Sequence, residues 1–393
     1  MKLFQLNTYG GTGSTGRIAL GISRRLTECG GESRIGFGAG QAASEAEPYA
    51  LRIGSPWERK LHGAMRKLLD AEGYGSQVAT GALLRFLNDY QPDVIQLHNL
   101  HGCYLNLPML FRWLARAGVP IVWTLHDCWP FTGHCAYFDF AKCDRWQTGC
   151  HDCPQLRSYP TCIGLDGSRR NYEQKRRLWA DLPNLTLVTP CQWMADLLAQ
   201  SFLRSHPVRV ICNGVNTQTF FKNEETSVNP RIFLAVASEW EERKGLRFLL
   251  NQPLQKGEQL VILGLSEAQL QALPQGVAGL ARTASTQELC GWYSRASCFL
   301  NPTLEDNMPM VNLEALACGT PVAAFDTGGC RECVDESCGR IVAQGDGRAL
   351  FAAARELGRQ KSELSAACMA RAHAFDESVA NQAYLNLYKE LCS

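Results

Sequence analysis

Short apolar segments alternate with longer amphipathic segments along this chain, and the alternation runs through two successive sets. It is typical of parallel β-strands joined by α-helices, because both faces of a parallel sheet must be covered. The first set predicts strands at residues 2–6, 34–37, 94–97, 121–124, 185–189 and 208–211, with helices at 17–29, 78–89 and 107–117. The second set predicts strands at residues 232–236, 259–263, 298–301, 321–325 and 340–342.

We therefore expect an α/β fold made of two doubly wound, Rossmann-like lobes. The chain has 393 residues, which is more than one compact core usually holds. The polar residues 216–230 have the composition of a linker between the lobes. Ligands of open α/β sheets gather at the carboxyl ends of the strands, so we expect a ligand in the cleft between the lobes.

Charge and hydropathy exclude several classes of protein. Lys and Arg number 39 and Asp and Glu number 38, so the formal net charge is +1 and no global electrostatic attraction to nucleic acid exists. We find no run of about 18 apolar residues and no secretory signal at the start of the sequence. We expect a cytoplasmic protein whose 18 cysteines stay reduced, as buried apolar groups, metal ligands or reactive thiols.

A glycine-rich loop follows the first predicted strand. Gly11, Gly13 and Gly16 form a G-x-G-x-x-G pattern, which also occurs in nicotinamide-dinucleotide sites. Such a site needs an acidic residue at the end of the second strand, and residues 36–41 contain none. Two interpretations remain: a tight turn without a ligand, or a helix start that holds a phosphate or sugar on backbone amides. The amides in question belong to Gly13, Ser14, Thr15 and Gly16.

The most informative segment of the second lobe spans residues 301–322. A strand ends, a loop carries Asp306, and a helix starts near Pro309, since proline is favoured at a first helical position. Glu314 lies one to two turns inside that helix. The two carboxylates are placed to grip two sets of hydroxyl groups, while the amides around Met308 and Met310 face an anion.

This segment resembles the acid-x7-acid motif of the family 4 retaining glycosyltransferases, which have the two-lobed GT-B fold. The resemblance implies that Asp306 contacts the transferred sugar and that Glu314 holds the nucleotide ribose. Lys244 matches the family lysine on the donor diphosphate. Glu239 stands where the family has an arginine, so that role passes to Arg243. His126 matches the strand-end histidine that approaches the donor sugar and the acceptor.

The resemblance covers nearly the whole chain and implies its domains: an acceptor-side domain at 1–215 with a cysteine-rich loop at 128–162, a donor domain at 216–375, and a terminal helix at 376–393 that returns to the first domain. It also implies a hexosyltransferase that moves a sugar from a nucleotide-sugar donor to a lipid-linked or oligosaccharide acceptor. Transferases of exopolysaccharide assembly, of the colanic-acid type, are the most similar members, and capsule or O-antigen synthesis is the same chemistry.

Catalysis by such an enzyme needs no cofactor, and the chain contains no Asp-x-Asp motif of the metal-dependent transferase fold. Two alternatives stay open. One is a sugar-nucleotide epimerase on the same fold, and the other is a non-catalytic glycan-binding or scaffold protein.

Four cysteines cluster after His126: Cys135, Cys143, Cys150 and Cys153. A Cys-x-x-Cys pair with two further thiols nearby is the ligand set of a structural zinc site, for which His134 and His151 are substitute ligands. Buried free thiols and a redox role are the alternatives.

Residues 57–70 form a second feature outside the transfer chemistry. Their helical pattern places apolar side chains on one face and basic ones elsewhere: Trp57, Leu61, Ala64, Met65 and Leu68, against Arg59, Lys60, Arg66 and Lys67. Such a helix suits shallow docking on anionic lipid, as a lipid-linked acceptor would require. An ordinary helix packed on its own lobe is the alternative. Residues 169–170 and 175–177 form a second basic cluster with the same two interpretations.

Overall fold

The computed structural model describes residues 1–223, 229 and 231–393, and it divides into two compact units. The first unit comprises residues 1–211 and 381–393, and the second comprises residues 212–380. Each unit is a parallel β-sheet with helices packed on it. The two doubly wound lobes predicted from the alternating pattern are confirmed.

The first unit contains the strands β1 Lys2–Tyr9, β2 Glu32–Ala39, β3 Ala50–Arg52, β4 Val94–Leu97, β5 Ile121–Thr124, β6 Leu185–Thr189 and β7 Val208–Val210. Its helices are α1 Gly13–Glu28, α2 Pro56–Leu69, α3 Gln77–Tyr90, α4 Leu107–Ala117, α5 Ser168–Trp179 and α6 Gln192–Leu198. The strand order is β3-β2-β1-β4-β5-β6-β7, so the sheet reverses its winding direction between β1 and β4.

The second unit contains the strands β8 Ile232–Val236, β9 Gln259–Leu263, β10 Val277–Leu280, β11 Cys298–Asn301, β12 Val322–Phe325 and β13 Gly339–Val342. Its helices are α7 Leu246–Leu250, α8 Glu267–Gln271, α9 Thr286–Arg295, α10 Met310–Ala317, α11 Cys330–Cys333, α12 Gly347–Arg359 and α13 Lys361–Ala374, and α14 Glu377–Cys392 starts here. The order β10-β9-β8-β11-β12-β13 reverses between β8 and β11.

Aromatic side chains form the centre of the first core. Trp123 on β5 lies 5.6 Å from Phe111 of α4 and 5.3 Å from Trp179 of α5, measured between ring centroids, and all three are buried. In the second unit, Phe299 on β11 lies 5.5 Å from Tyr293 of α9. These ring contacts hold β5 and β11 in the two cores. The polar loops that follow these two strands therefore start from fixed positions.

The terminal helix α14 completes the first unit. From Asn381 onwards it belongs to that unit, where the Tyr384 hydroxyl lies 2.9 Å from Thr124 Oγ1 and the Tyr388 hydroxyl donates to Gln96 Oε1 at 2.9 Å. Both tyrosines are buried. Two strands of the first sheet therefore have buried polar side chains that the last helix of the chain satisfies.

The predicted linker at 216–230 lies partly outside the described residues. Its described part is packed rather than free: Thr217 Oγ1 donates to Asp376 Oδ2 at 2.5 Å, and Phe220 is buried in the second core. Among the described residues, none of the helices combines the length and the apolar character that a bilayer crossing needs.

Candidate functional site

Two residues predicted to bind the sugar donor lie close together at the switch point of the second sheet, where the strand order reverses. Lys244 ends the short 3-10 turn Glu242–Lys244 after β8, and Asp306 lies in the loop after β11. Lys244 Nζ lies 2.5 Å from Asp306 Oδ2, and each side chain keeps about a fifth of its surface exposed. The pair thus lies at the edge of the sheet where open α/β folds bind ligands.

Two glycines bring the loops around this pair into close contact. Gly245 has φ +76 and Gly328 has φ +49, a region that other residues rarely adopt. A Cβ on Gly245 would overlap the carbonyl oxygen of Pro302, and one on Gly328 would overlap that of Asp306. The loops after β8, β11 and β12 therefore hold one another in place.

Arg243 is bound to the same loop as Asp306. Its Nη1 donates to the Glu305 carbonyl at 3.3 Å and its Nε to Glu241 Oε2 at 2.9 Å. Glu239, at the position of the family arginine, is exposed. A cation therefore lies beside the Lys244–Asp306 pair even though the family position is acidic.

Glu314 is buried in α10 and is held by a tyrosine that the sequence analysis did not identify. The Tyr293 hydroxyl of α9 donates to Glu314 Oε2 at 3.0 Å, and Thr320 Oγ1 donates to the Tyr293 carbonyl at 2.6 Å. Burial and the neighbouring Glu314 carboxylate raise the pKa of Tyr293, so the phenol stays protonated as a donor. In the sequence, Tyr293 is marked only as a tyrosine on the helix before β11, and no motif points to its role.

The helix carrying Glu314 starts next to Pro309. Pro309 is the residue before the helix, with φ −72 and ψ 110, and Met310 is its first residue. The extended ψ makes Pro309 the N-cap residue, and the prediction of a helix start near Pro309 is confirmed. Met308 is buried, and the first turn of α10 has no acidic side chain to compete with an anionic ligand.

The glycine loop of the first unit leads directly into α1. The four predicted amide donors, Gly13 to Gly16, form the first turn, so α1 begins four residues before the predicted start. Gly13 has φ +68 with open space around it, whereas a Cβ on Gly16 would come within 3.0 Å of the Gly11 backbone. No acidic side chain lies in this turn, and no side chain caps it. The arrangement suits an approaching anion.

His126 lies two residues after β5 and contacts a second histidine at the switch point of the first sheet. His126 Nε2 lies 3.0 Å from His98 Nδ1, and the rings stack at 5.3 Å. His98 Nε2 lies 3.0 Å from Gln5 Oε1, whose amide group donates to the Ala19 carbonyl. Since Gln5 Oε1 can only accept, His98 carries its proton on Nε2 and His126 donates from Nε2.

Burial lowers the pKa of His126 to about 4 and holds that of His98 well below its usual value. Both imidazoles are therefore neutral near pH 7, which makes His126 a hydrogen-bonding group and not a cationic acid. Sequence reasoning missed His98, although its place directly after β4 marks it in the same way as His126 after β5.

A second polar network lies beside His126. His101 Nε2 lies 2.9 Å from Asp127 Oδ2, and the Tyr159 hydroxyl lies 2.9 Å from His101 Nδ1. Asp127 also accepts from the Trp129 amide at 2.9 Å, and contact with His101 lowers the pKa of Asp127 against the opposing effect of burial. This network fixes the residues that directly follow His126 in the sequence.

The structure brings the predicted zinc ligands to the wall of one small cavity: Cys135, Cys143, Cys150 and Cys153, with His134 and His151. None of the eighteen cysteines, all of which lie in the described part of the chain, forms a disulfide. Metal binding by this segment stays a prediction.

Helix α2 exposes its apolar face. Trp57, Leu61 and Leu68 are 77%, 68% and 54% exposed, whereas His62 is buried and accepts the Gly73 amide at 3.0 Å. The alternative of a helix that packs this apolar face on its own lobe is thus wrong for these three side chains.

Comparison with known proteins agrees with this geometry. Residues 15–219 match the profile of Glycosyltransferase Family 4, and residues 230–360 match that of the group 1 glycosyl transferases. The first match spans just over half of the chain, which therefore belongs to glycosyltransferase family 4 and is a glycosyltransferase. The resemblance seen in the acid-x7-acid segment is confirmed.

Relatives and solved structures extend the similarity over the full length. The colanic acid biosynthesis glycosyl transferase WcaC of Escherichia coli K12 is 25% identical over 364 residues, 88% of each chain. A D-inositol 3-phosphate glycosyltransferase of Streptosporangium roseum is 26% identical, over 85% of this chain and 78% of that one.

Among solved structures, sucrose-phosphate synthase from Thermosynechococcus elongatus aligns with a TM-score of 0.71 at 15% identity, covering 100% of this chain and 99% of that one. Anabaena HepE, solved with UDP-glucose, aligns with a TM-score of 0.66 at 14% identity over 100% of both chains. At such identities the likeness shows the fold alone, and it confirms the predicted GT-B architecture.

Proposed function

We propose that this glycosyltransferase moves a sugar, with retention at the anomeric carbon, from a nucleotide-sugar donor to a glycan acceptor in surface-polysaccharide assembly. The observation that carries the proposal is the Lys244–Asp306 ion pair at the switch point of the second sheet. HepE was solved with UDP-glucose, and WcaC is named for colanic acid biosynthesis. Both support a nucleotide sugar as donor and a polysaccharide as product.

The residues of the second unit have distinct roles in this proposal. Departure of a nucleoside diphosphate leaves negative charge on its phosphate oxygens, which fixed donors must stabilise. Lys244 and Arg243 supply cationic donors, and the start of α10 supplies amides. Asp306 orients Lys244 and accepts a hydrogen bond from a hydroxyl group of the transferred sugar. Glu314, held by Tyr293, binds the nucleotide ribose.

The first unit contributes the acceptor side. Neutral His126 donates its one N–H to His98, which Gln5 holds in place, so its other ring nitrogen, Nδ1, acts as a hydrogen-bond acceptor without any ionisation. The start of α1, from Gly13 to Gly16, offers further amides to phosphate or sugar. These groups require no cofactor, so we propose that none acts in catalysis.

A donor screen tests the proposal. UDP-, GDP- and other nucleotide-sugars are added singly, and thermal unfolding is measured, since a ligand at 100 times its Kd stabilises the folded state by about 2.7 kcal/mol. We expect one nucleotide class to raise the melting temperature and its sugar to be transferred to a glycan acceptor. Stabilisation by glycans but by no nucleotide diphosphate would contradict the proposal. An isomerised donor sugar formed without acceptor would indicate an epimerase instead.

We further propose that α2 and the loop after residue 162 dock on an anionic membrane, where a lipid-linked acceptor is found. Ile163 and Leu165 are 54% and 69% exposed, and their amides donate to the carbonyls of Lys67 and Leu68 at 2.8 Å. They therefore continue the exposed apolar face of α2. The surface is defined by Trp57, Leu61, Leu68, Leu69, Ile163 and Leu165, and we refer to it as the apolar patch.

Charge favours anionic lipid as the partner of the apolar patch. Lys60 lies over the Trp57 ring at 4.9 Å, and exposed Lys67 lies next to Leu68. Arg170 of α5 donates to the Leu69 carbonyl at 3.0 Å, which brings the second basic cluster to the end of α2. Apolar side chains with basic neighbours are the composition of helices that lie in the headgroup region.

Vesicle sedimentation tests this docking. We expect binding to phosphatidylglycerol vesicles, at least tenfold weaker binding to phosphatidylcholine vesicles, and at least tenfold weaker binding of a Trp57→Ser, Leu61→Ser double variant. Val379→Ser, which removes an apolar side chain 56% exposed on α14, is the matched control and should bind normally. Equal binding of the double variant and the control would refute the assignment of the apolar patch.

A further inference from the structure

The cysteine-rich segment takes no part in the transfer chemistry, yet it encloses a cavity of about 10 Å³ with six metal-type donors on its wall. Such a volume holds about one water molecule or one metal ion. The donors are Cys135, Cys143, Cys150, Cys153, His134 and His151. A single ion would satisfy at most a few of them, so the contacts of each must decide which ones bind.

His134 has the contacts of a metal ligand. Its side chain is 1% exposed, and Nδ1 lies 2.6 Å from Oδ1 of the buried Asp70. Its other ring nitrogen, Nε2, is buried without a hydrogen-bond partner. The Asp70 carboxylate keeps the proton on Nδ1 and leaves a lone pair on Nε2, the arrangement of a histidine oriented for a metal. A buried acceptor without a partner destabilises the folded chain, and a bound ion would supply the missing partner.

Three thiols lie together with this nitrogen. Cys135 and Cys153 hydrogen-bond to each other, and Cys150 interacts electrostatically with both of them and with Cys143. Cys153 in turn interacts with His134, and the Gly133 amide donates to Cys150 Sγ at 3.2 Å. Cys150 and Cys153 form a Cys-x-x-Cys pair, the usual chelating unit of structural zinc sites.

We propose that His134 Nε2 and the thiolates of Cys135, Cys150 and Cys153 bind one zinc ion, with Asp70 orienting His134. This differs from the set of four cysteines expected from the spacing, because the buried nitrogen takes the place of Cys143. Three thiolates and one imidazole are a common closed, tetrahedral zinc set. The site is independent of the proposed transfer reaction.

Another cluster is more compact but cannot serve. Within residues 1–223, 229 and 231–393, the ligand atoms of His62, Glu72 and Cys103 lie within 4.8 Å of one another. His62 Nε2 already accepts the amides of Gly73 and Gly75 at 3.0 and 3.2 Å, so its lone pair is used. The donors around the cysteine cavity are spread more widely, and rotation about one Cα–Cβ bond moves a sulfur by roughly 3 Å, enough to bring them to an ion.

The ion would hold the loop that carries the apolar patch. The Cys153 amide donates to Asp166 Oδ2 at 2.6 Å, directly after Leu165. The Gly167 amide donates to Asp70 Oδ2 at 3.2 Å, on the carboxylate that orients His134. A closed site therefore joins the segment from Gly133 to Cys153 to the end of the patch-bearing loop, at Asp166 and Gly167, and through Asp70 to the end of α2. Its binding energy becomes folding energy there.

Metal analysis of the full chain, purified without chelator, tests the site. We expect about one zinc per chain, and at least a tenfold loss in His134→Gln and Cys150→Ser. Cys143→Ser is the matched control and should keep its zinc. Cobalt substitution should give thiolate-to-metal absorption in the wild type and in Cys143→Ser only. Zinc lost in Cys143→Ser but kept in His134→Gln would overturn the ligand set.

A second measurement needs no variant and so does not depend on how variants fold. The unmodified protein is alkylated with iodoacetamide before and after chelation, and the modified cysteines are identified by mass spectrometry. Bound zinc should slow alkylation of Cys135, Cys150 and Cys153 at least tenfold, with Cys143 unaffected. Equal labelling with and without chelator, together with no stoichiometric metal, would refute the site.

Discussion

Replacing Lys244 by alanine separates a catalytic role from a structural one. The Lys244–Asp306 pair keeps about a fifth of each side chain in contact with solvent, so its loss should cost only about 1 kcal/mol of stability. Loss of a preorganised group that stabilises transition-state charge costs roughly 10²–10³ in kcat, or about 3–4 kcal/mol. We therefore expect the turnover of Lys244→Ala to fall at least a hundredfold, with a melting temperature only a few degrees lower.

The assay is release of nucleoside diphosphate from the identified donor with acceptor present, combined with thermal unfolding. Arg247→Ala is the matched control: Arg247 lies three residues further on, its side chain is 53% exposed, and it pairs with Glu242 at 3.4 Å. Its turnover should stay within twofold of the wild type. A folded Lys244→Ala protein with turnover within threefold of the wild type would remove Lys244 from the mechanism.

A double-mutant cycle measures the coupling free energy between Lys244 and Asp306 in the transition state. If Asp306 acts partly by orienting Lys244, the combined Lys244→Ala, Asp306→Asn variant loses less rate than the sum of the single losses in ΔΔG‡. Strict additivity would show that the two groups act on the donor independently, against the orienting role that we assign to Asp306.

Three further predictions follow from contacts around the site. Gly328→Ala should lower turnover at least tenfold in the same assay, since its Cβ would overlap the Asp306 carbonyl, whereas Gly291→Ala, with open space in α9, should leave turnover unchanged. Tyr293→Phe should cost about 1–3 kcal/mol in urea unfolding and raise the donor KM, because buried Glu314 loses a hydrogen bond; an unchanged KM would refute the link to the donor. His126 has a folded-state pKa of about 4, below the unfolded value of 6.5, so the unfolded chain binds more protons between these values and stability falls as pH drops from 6.5 to 4. The free energy of unfolding should fall by up to about 3 kcal/mol more in the wild type than in His126→Gln over that window, and parallel curves would contradict the assignment.

The fold could be predicted because strand burial leaves a strong signal in the sequence. β4, β5 and β9 are runs of apolar residues, and their bounds agree with the predicted ones. β3 and β10 were missed because their signal is weak: β3 is only three residues long, Ala50–Arg52, and the four residues of β10 include Gly279, which is unfavourable in a strand.

Only those site residues that lie in a recognisable sequence motif could be predicted. Lys244, Asp306 and Glu314 lie in the acid-x7-acid and lysine segments, whereas Tyr293 and His98 act through a partner that is distant in sequence. Such pairs leave no spacing to recognise. The outward orientation of Trp57 was likewise not readable, because an amphipathic pattern gives the faces of a helix and not which face meets the core.

The position of α14 has a consequence for how the protein is made. Tyr384 and Tyr388 hydrogen-bond to Thr124 and Gln96, so the sheet synthesised first lacks these two contacts until both tyrosines have left the ribosome. At 5–20 residues per second, the intervening residues 212–380 take roughly 10–30 s to translate. During this interval the N-terminal half lacks both tyrosine partners, and a stop codon before Tyr384 would leave Thr124 and Gln96 without them permanently.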